Sequence, residues 1–189
     1  FSALAVMWYF QNKGYTVAVF CPKKLQQNWE QYQEFAGSRF EKDRFHYIVD
    51  FHTDLQGDRL ANKNKGSISY LQNQKKLLIV IDENHNLRKD KSERYKQLLE
   101  DIIKLDDNRR IVKVLQLSAT PINNRLTDVR NQFNLIGHGR NNAFEKEFDV
   151  ESLVALFTDA QRKYKAWTDD PNRTVGGLIQ KLPTRFFDL

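Results

Sequence analysis

Asp82, Glu83 and His85 fall within four residues of one another, directly after the apolar run Leu-Leu-Ile-Val-Ile at 77–81. Two adjacent carboxylates suit a hydrated Mg²⁺ and a polarised water. Mg²⁺ takes one or two protein carboxylates and completes its shell with water and phosphate oxygens. The same residues also read as a strand end carrying two solvated acids and a loop histidine, and the triplet alone does not separate the two. Ser118, Ala119 and Thr120 precede Pro121. The hydroxyls of Ser118 and Thr120 can hydrogen-bond a histidine or an acid, or serve the turn chemistry common before proline. Lys23 and Lys24 follow Cys21-Pro22 at a predicted helix start. There they can meet phosphates by charge, helped by helix N–H groups, or they can be a solvated pair that the helix dipole slightly disfavours.

These residues need elements that bring them together. The run 77–81 lacks inside–outside alternation, which predicts a strand covered on both faces. The run 17–21 reads the same way and Pro22 stops it. Further strands are expected at 45–51 and 111–117. Ser2 caps a helix to residue 12, closed by Lys13-Gly14. Leu25, Trp29, Tyr32 and Phe35 recur on one helix face that closes near Gly37, and this spacing favours core packing for Trp29 over a stacking role. A short helix is expected at 67–75. Ser92 caps a helix bearing Tyr95, Leu98, Leu99, Ile102 and Ile103, and another helix spans 126–136. From 141 onward the pattern is helical, with an amphipathic helix marked by Leu153, Leu156, Phe157, Ala160, Tyr164 and Trp167 and a last one at 175–181 capped by Thr174. Strands alternating with helices imply right-handed crossovers and a parallel sheet. Acids that follow such strands lie at the carboxyl rim, where open α/β sheets bind ligands.

Composition bounds the function. The 189 residues suffice for one domain with a helical appendage. Thirty Lys and Arg against twenty-four Asp and Glu give a net charge of +6, compatible with an anionic partner without requiring one. Cys21 is the only cysteine, so an internal disulfide and a multi-cysteine metal site are both excluded, in keeping with a reducing compartment. No apolar run reaches membrane length. The opening FSALAVMWYF has no basic segment before it and reads as a helix rather than a signal.

The order and spacing of CPKKLQQNW at 21–29, DENH at 82–85 and QLSATPINN at 116–124 resemble the first RecA-like lobe of the superfamily-two helicases. Swi/Snf-type DNA translocases and their bacterial relatives are the nearest match. The resemblance covers nearly the whole chain and is strongest over 17–136, where TDVRNQFNLI at 127–136 adds to it. It implies an α/β, doubly wound, mostly parallel RecA-like lobe over 1–140, with a helical extension over 141–189. By this resemblance Asp82 would hold Mg²⁺ on the phosphates of ATP, Glu83 would orient and deprotonate the attacking water, and His85 would sense the nucleotide state. Ser118 and Thr120 would couple hydrolysis to movement. Lys23 and Lys24 would grip the backbone of double-stranded DNA. The family commonly has Ala where this chain has Asn84.

The phosphate-cradling loop G-x-x-x-x-G-K-[ST] occurs nowhere in the sequence. In the family it precedes the first helix, so its Lys and Thr would fall immediately before Phe1. A second RecA-like lobe would also lie outside the chain. The expectation is therefore a piece of an ATP-dependent DNA translocase or helicase, inactive by itself and cytoplasmic in a prokaryote. The competing expectation is a non-catalytic pseudo-ATPase lobe within a larger nucleic-acid complex, against which the intact Asp82-Glu83-His85 set argues. A kinase-like enzyme is disfavoured by Ser-Ala-Thr-Pro.

Overall fold

Every residue of β1 (Thr16–Cys21) after the first is buried, and the same holds for β3 (Lys76–Ile81). Side chains alternate between the faces of a strand, so unbroken burial means that both faces are covered. The computed structural model describes residues 2–33, 46–55, 65–87, 89–104, 110–119 and 125–189. With β2 (Tyr47–Phe51) and β4 (Ile111–Gln116) these strands form one sheet in the order β2-β1-β3-β4, parallel throughout. Strand order reverses between β1 and β3, which makes their carboxyl ends the topological switch point of the sheet.

One face of the sheet presents Val17, Val19, Cys21, Leu78 and Val80. Met7 of α1 (Ser2–Asn12) and Trp29 of α2 (Gln26–Glu30) pack there. Residues of the other parity, Ala18, Phe20, Leu77, Ile79 and Ile81, are equally buried. At about 1.5–3 kcal/mol per buried aliphatic side chain, β3 is a strong anchor, and the residue that follows it is correspondingly fixed in place. The remaining core of this unit draws on Leu71 of α3 (Lys65–Gln72), Tyr95 of α4 (Glu93–Gln97) and Leu98 and Ile102 of the π-helical stretch Leu98–Ile103.

The expected elements are present with shifted edges. Gly14 adopts φ +77° after α1, the left-handed conformation expected past a helix end. The helix expected from Leu25 begins as a 3₁₀ turn, Lys23–Leu25, and its regular part is α2. Phe35 and Gly37 lie outside the described residues. Ser92 accepts the Tyr95 N–H and caps α4. Past Gln97 the turn widens, closing with Lys104 N–H on the Leu99 carbonyl at 2.7 Å, and the pairs Leu98-Leu99 and Ile102-Ile103 are all buried.

The chain divides into two compact units, Phe1–Ala119 and Thr120–Leu189. The second is helical: α5 (Leu126–Ile136), α6 (Glu145–Phe148), α7 (Leu153–Thr168) and α8 (Val175–Lys181). Phe144, Val150, Leu153 and Phe157 form its core, with Phe133, Leu156 and Phe186 against them. Ser152 caps α7 by accepting the Ala155 N–H, and Thr174 caps α8 by accepting the Gly177 N–H. A Cβ on Gly137 would stand 2.7 Å from that of Ala143, so the chain returns past α5 only over a glycine.

Arg110 ties the far side of the first unit together. Its guanidinium donates to the carbonyls of Leu71 and Ile102 at 2.7 Å and of Gln74 at 2.9 Å, joining the ends of α3 and the π-helical stretch to the start of β4. Hydrogen bonds from a charged donor contribute about 1.5–3 kcal/mol each, with non-additive totals. Arg110→Ala is expected to lower the unfolding free energy by about 2–4 kcal/mol in urea titrations. Arg110→Lys should recover only part of that loss, because an ammonium cannot reproduce the planar fork.

Candidate active site

The strand register sets the site. Cys21 pairs with Phe51, Phe20 with Ile81, and Ile81 with Gln116. The four strands therefore end together, and Pro22, His52, Asp82 and Leu117 leave the sheet along one rim. Asp82 donates its N–H to the Phe20 carbonyl at 2.9 Å. Its Oδ1 accepts the Glu83 N–H at 2.9 Å and its Oδ2 accepts the indole N–H of Trp29 at 2.8 Å. Glu83 has φ +50°. Its Oε2 lies 3.1 Å from Nδ1 of His85, an ion-pair distance without hydrogen-bond alignment, and both side chains are about one-third exposed (32% and 35%).

Asn84 joins this acidic turn to the end of β4. It is buried at 2% exposure, its N–H donates to the Leu117 carbonyl at 3.1 Å, and its carboxamide donates to Oε1 of Gln116. Leu117 in turn donates to the Ile81 carbonyl at 2.8 Å. Ser118 follows Leu117, so the structure brings Asp82, Glu83, His85 and the Ser118 segment to the same place. Thr120 lies outside the described residues. Lys23 and Lys24 are exposed on the 3₁₀ turn that leaves β1 at the same rim.

Two residues that the sequence reading did not assign to the site stand within it. Trp29 is a core residue as expected, 8% exposed, yet its N–H serves Asp82. The available signal was chemical, because a buried indole N–H requires an acceptor. His52 leaves β2 as Asp82 leaves β3 and carried the same positional signal. It is 3% exposed. Its Nε2 lies 3.1 Å from the Phe20 carbonyl, and since a carbonyl only accepts, Nε2 carries the proton. Nδ1 is buried with no partner among the described residues.

Among the described residues no group of three or more His, Cys, Asp and Glu is placed to hold a metal ion. The described residues therefore offer no closed protein cage. Asp82, with one donor on each oxygen and a lone pair left on each, fits a cation that takes one carboxylate and fills its shell elsewhere, as Mg²⁺ does. Cys21, at the same rim, is fully buried. Burial first, then the charges of Asp82, Glu30 and Asp50, pushes its thiol up to about 12, so it stays protonated and is no nucleophile. A cavity of about 640 Å³ opens at the amino ends of β1 and β2, lined by Thr16, Tyr47 and Tyr70 among others. It lies at the opposite end of the strands from the acids and is no part of this site.

His52 makes the fold sensitive to acid. Burial, ahead of all else, lowers its pKa from 6.5 to about 4; the Phe20 carbonyl and Asp82 oppose the shift, while Arg94 and His85 add to it. The unfolded chain binds this proton more readily than the folded one. The contribution is therefore complete above pH 6.5 and is lost as pH falls through 6.5 towards 4. Urea titrations should show His52 costing roughly 3 kcal/mol between pH 7 and pH 4. A His52→Gln variant should show a pH dependence shallower by that amount.

Comparison with known proteins follows the same line. Residues 61–168, more than half of the chain, match the family model described as the SNF2-related domain. The chain is 27% identical over 176 residues to the ATP-dependent helicase FUN30 of Saccharomyces cerevisiae, covering 85% of this chain and 14% of that protein. The Sulfolobus solfataricus SWI2/SNF2 ATPase core in complex with dsDNA aligns over 75% of this chain and 30% of its own, at 19% identity and a TM-score of 0.47. The chain thus spans about a seventh of the yeast protein it matches and under a third of the archaeal one. With its motif order and the family-model match over residues 61–168, the chain belongs to the SNF2-related family.

Proposed function

We propose that this chain is part of an ATP-dependent DNA translocase or helicase and that its rim is one wall of the nucleotide site. One observation supports this reading above the others: in the register of the parallel strands the Asp82-Glu83-His85 turn, the Ser118 segment and the Lys23-Lys24 turn share one carboxyl rim of the sheet. Membership of the family and the likeness to an ATP-dependent helicase agree with it.

In this reading Asp82 would hold a hydrated Mg²⁺ beside the nucleotide phosphates. The ion, when bound, neutralises charge that develops on the transferred phosphoryl group. The chain's own contributions are positional and electrostatic. The donors on Asp82 fix its carboxylate before the nucleotide arrives, which avoids reorganisation during the reaction. Glu83, one-third exposed, takes the proton of an attacking water. His85, beside Glu83, carries the state of the site into the 3₁₀ turn Asn84–Leu87. Asn84 carries it to Leu117 and the Ser118 segment, where Ser118 and Thr120 couple hydrolysis to movement. Lys23 and Lys24 hold the phosphates of a double-stranded track by charge, without reading sequence. Hydrolysis belongs to the full-length protein, which supplies a phosphate loop and a second lobe.

In that protein, Glu83→Gln should reduce DNA-stimulated ATP turnover by at least about 100-fold while ATP binding survives. Turnover within a few-fold of wild type would remove Glu83 from the reaction, and a wild-type protein without turnover would leave a pseudo-ATPase lobe. Replacing both Lys23 and Lys24 with Ala should weaken DNA binding about equally across sequences. It should also reduce the salt slope, log Kobs against log [salt], by about 2; an unchanged slope returns them to the ordinary surface.

A further inference from the structure

We propose that Trp29 is a positioning residue for Asp82: its indole N–H, donated to Oδ2, holds the carboxylate plane in which the metal is taken. The inference rests on the reading of Asp82 as the metal-holding acid and goes beyond it by naming what orients that acid.

Three observations carry it. The first is the bond itself. At 2.8 Å it links residues 53 apart in sequence, on α2 and at the end of β3. Its donor is an N–H that cannot ionise and cannot accept, so it acts on Asp82 in one sense only. The second is the rigidity of the donor. Trp29 is 8% exposed and belongs to the cluster of Val17, Val19, Cys21 and Val80. The ring of Tyr47 stands edge-on to it at 6.4 Å and 85°, and the Tyr47 hydroxyl donates to the Trp29 carbonyl. The indole therefore cannot swing away without disrupting the packed face of the sheet. The third is the division of labour on the carboxylate. Oδ1 is held by the Glu83 N–H and Oδ2 by Trp29. Donors from two different elements fix both oxygens and leave one lone pair on each directed elsewhere. A charge-assisted bond of this kind is about twice as strong as a neutral one.

The arrangement has a consequence for the track. Trp29 lies in the same short helical segment as Lys23 and Lys24. A displacement of that segment by phosphates reaches Asp82 through one rigid ring.

The test has two arms. In the 189-residue chain, the indole ¹H–¹⁵N resonance of Trp29 is assigned by its loss in Trp29→Phe. It should exchange slowly with solvent and should move upfield in Asp82→Ala, while the Trp8 and Trp167 indole resonances stay in place. A Trp29 resonance that does not move overturns the bond. In the full-length protein, Trp29→Phe keeps a ring and removes the donor. It should raise the Mg²⁺ concentration for half-maximal ATP turnover about tenfold, with the KM for ATP at saturating Mg²⁺ near wild type. A residue that only fills the core would lower turnover without moving the Mg²⁺ midpoint, and that result overturns the positioning role while leaving the functional reading intact. A wild-type protein with no Mg²⁺-dependent turnover overturns the functional reading and the metal half of this inference together.

Discussion

The carbonyl of Phe20 holds the rim together. It has two lone pairs, and both are used: one by the Asp82 N–H at 2.9 Å and one by Nε2 of His52 at 3.1 Å. The next carbonyl on β1, that of Cys21, takes the His52 N–H at 3.2 Å. β1 is an inner strand, so these oxygens are out of reach of bulk water, and an unmade bond there costs about 1–3 kcal/mol. That penalty makes β1 the template for what both neighbours do after their strands end. β2 must deliver a donor at residue 52 and β3 one at residue 82. Once Asp82 is bound to Phe20, its side chain faces α2, where Trp29 meets it.

Asn84 shows how a chain can depart from a family pattern and gain a contact. The resemblance places an alanine there. An alanine would keep the backbone bond to Leu117, since any residue but proline supplies an N–H. The carboxamide adds a second tie, to Gln116 on β4. Acid turn and Ser118 segment are thus joined by one backbone and one side-chain bond. The gain has a cost, for among the described residues Oδ1 of Asn84 is buried without a hydrogen-bond partner, and an orphaned acceptor offsets part of what the donor contributes.

The strands were the most legible part of the sequence. Uniform apolar runs at 17–21 and 77–81 have one physical reading at that length, and the structure buries both on two faces. Caps at Ser92 and Thr174 were legible for the same reason: a hydroxyl before an apolar periodic run has one common use. Helix edges were less so, since α2 and α3 begin and end where tertiary packing places them rather than where the periodicity does. At the site, Asp82, Glu83 and His85 were legible as a motif, whereas Trp29 and His52 were not. Apolar spacing accounts for Trp29 so well that its one polar atom goes unasked about. His52 follows a strand end as Asp82 does, but its contact with Phe20 is set by the register, and register between parallel strands is not written in either strand alone.

Two neighbouring acids can act on one nucleotide only if the backbone between them turns. Along an extended strand, successive side chains point to opposite faces, which would send Asp82 and Glu83 apart. The φ of +50° at Glu83 breaks that alternation. A left-handed conformation at a residue other than glycine costs of order 1–3 kcal/mol, so something must hold it. The Glu83 N–H is taken by Oδ1 of Asp82, and the following N–H, that of Asn84, by Leu117. The turn is therefore clamped on both sides of its strained residue. Glycine would relieve the strain there but would remove the carboxylate to which the proposed reading gives the proton of the attacking water.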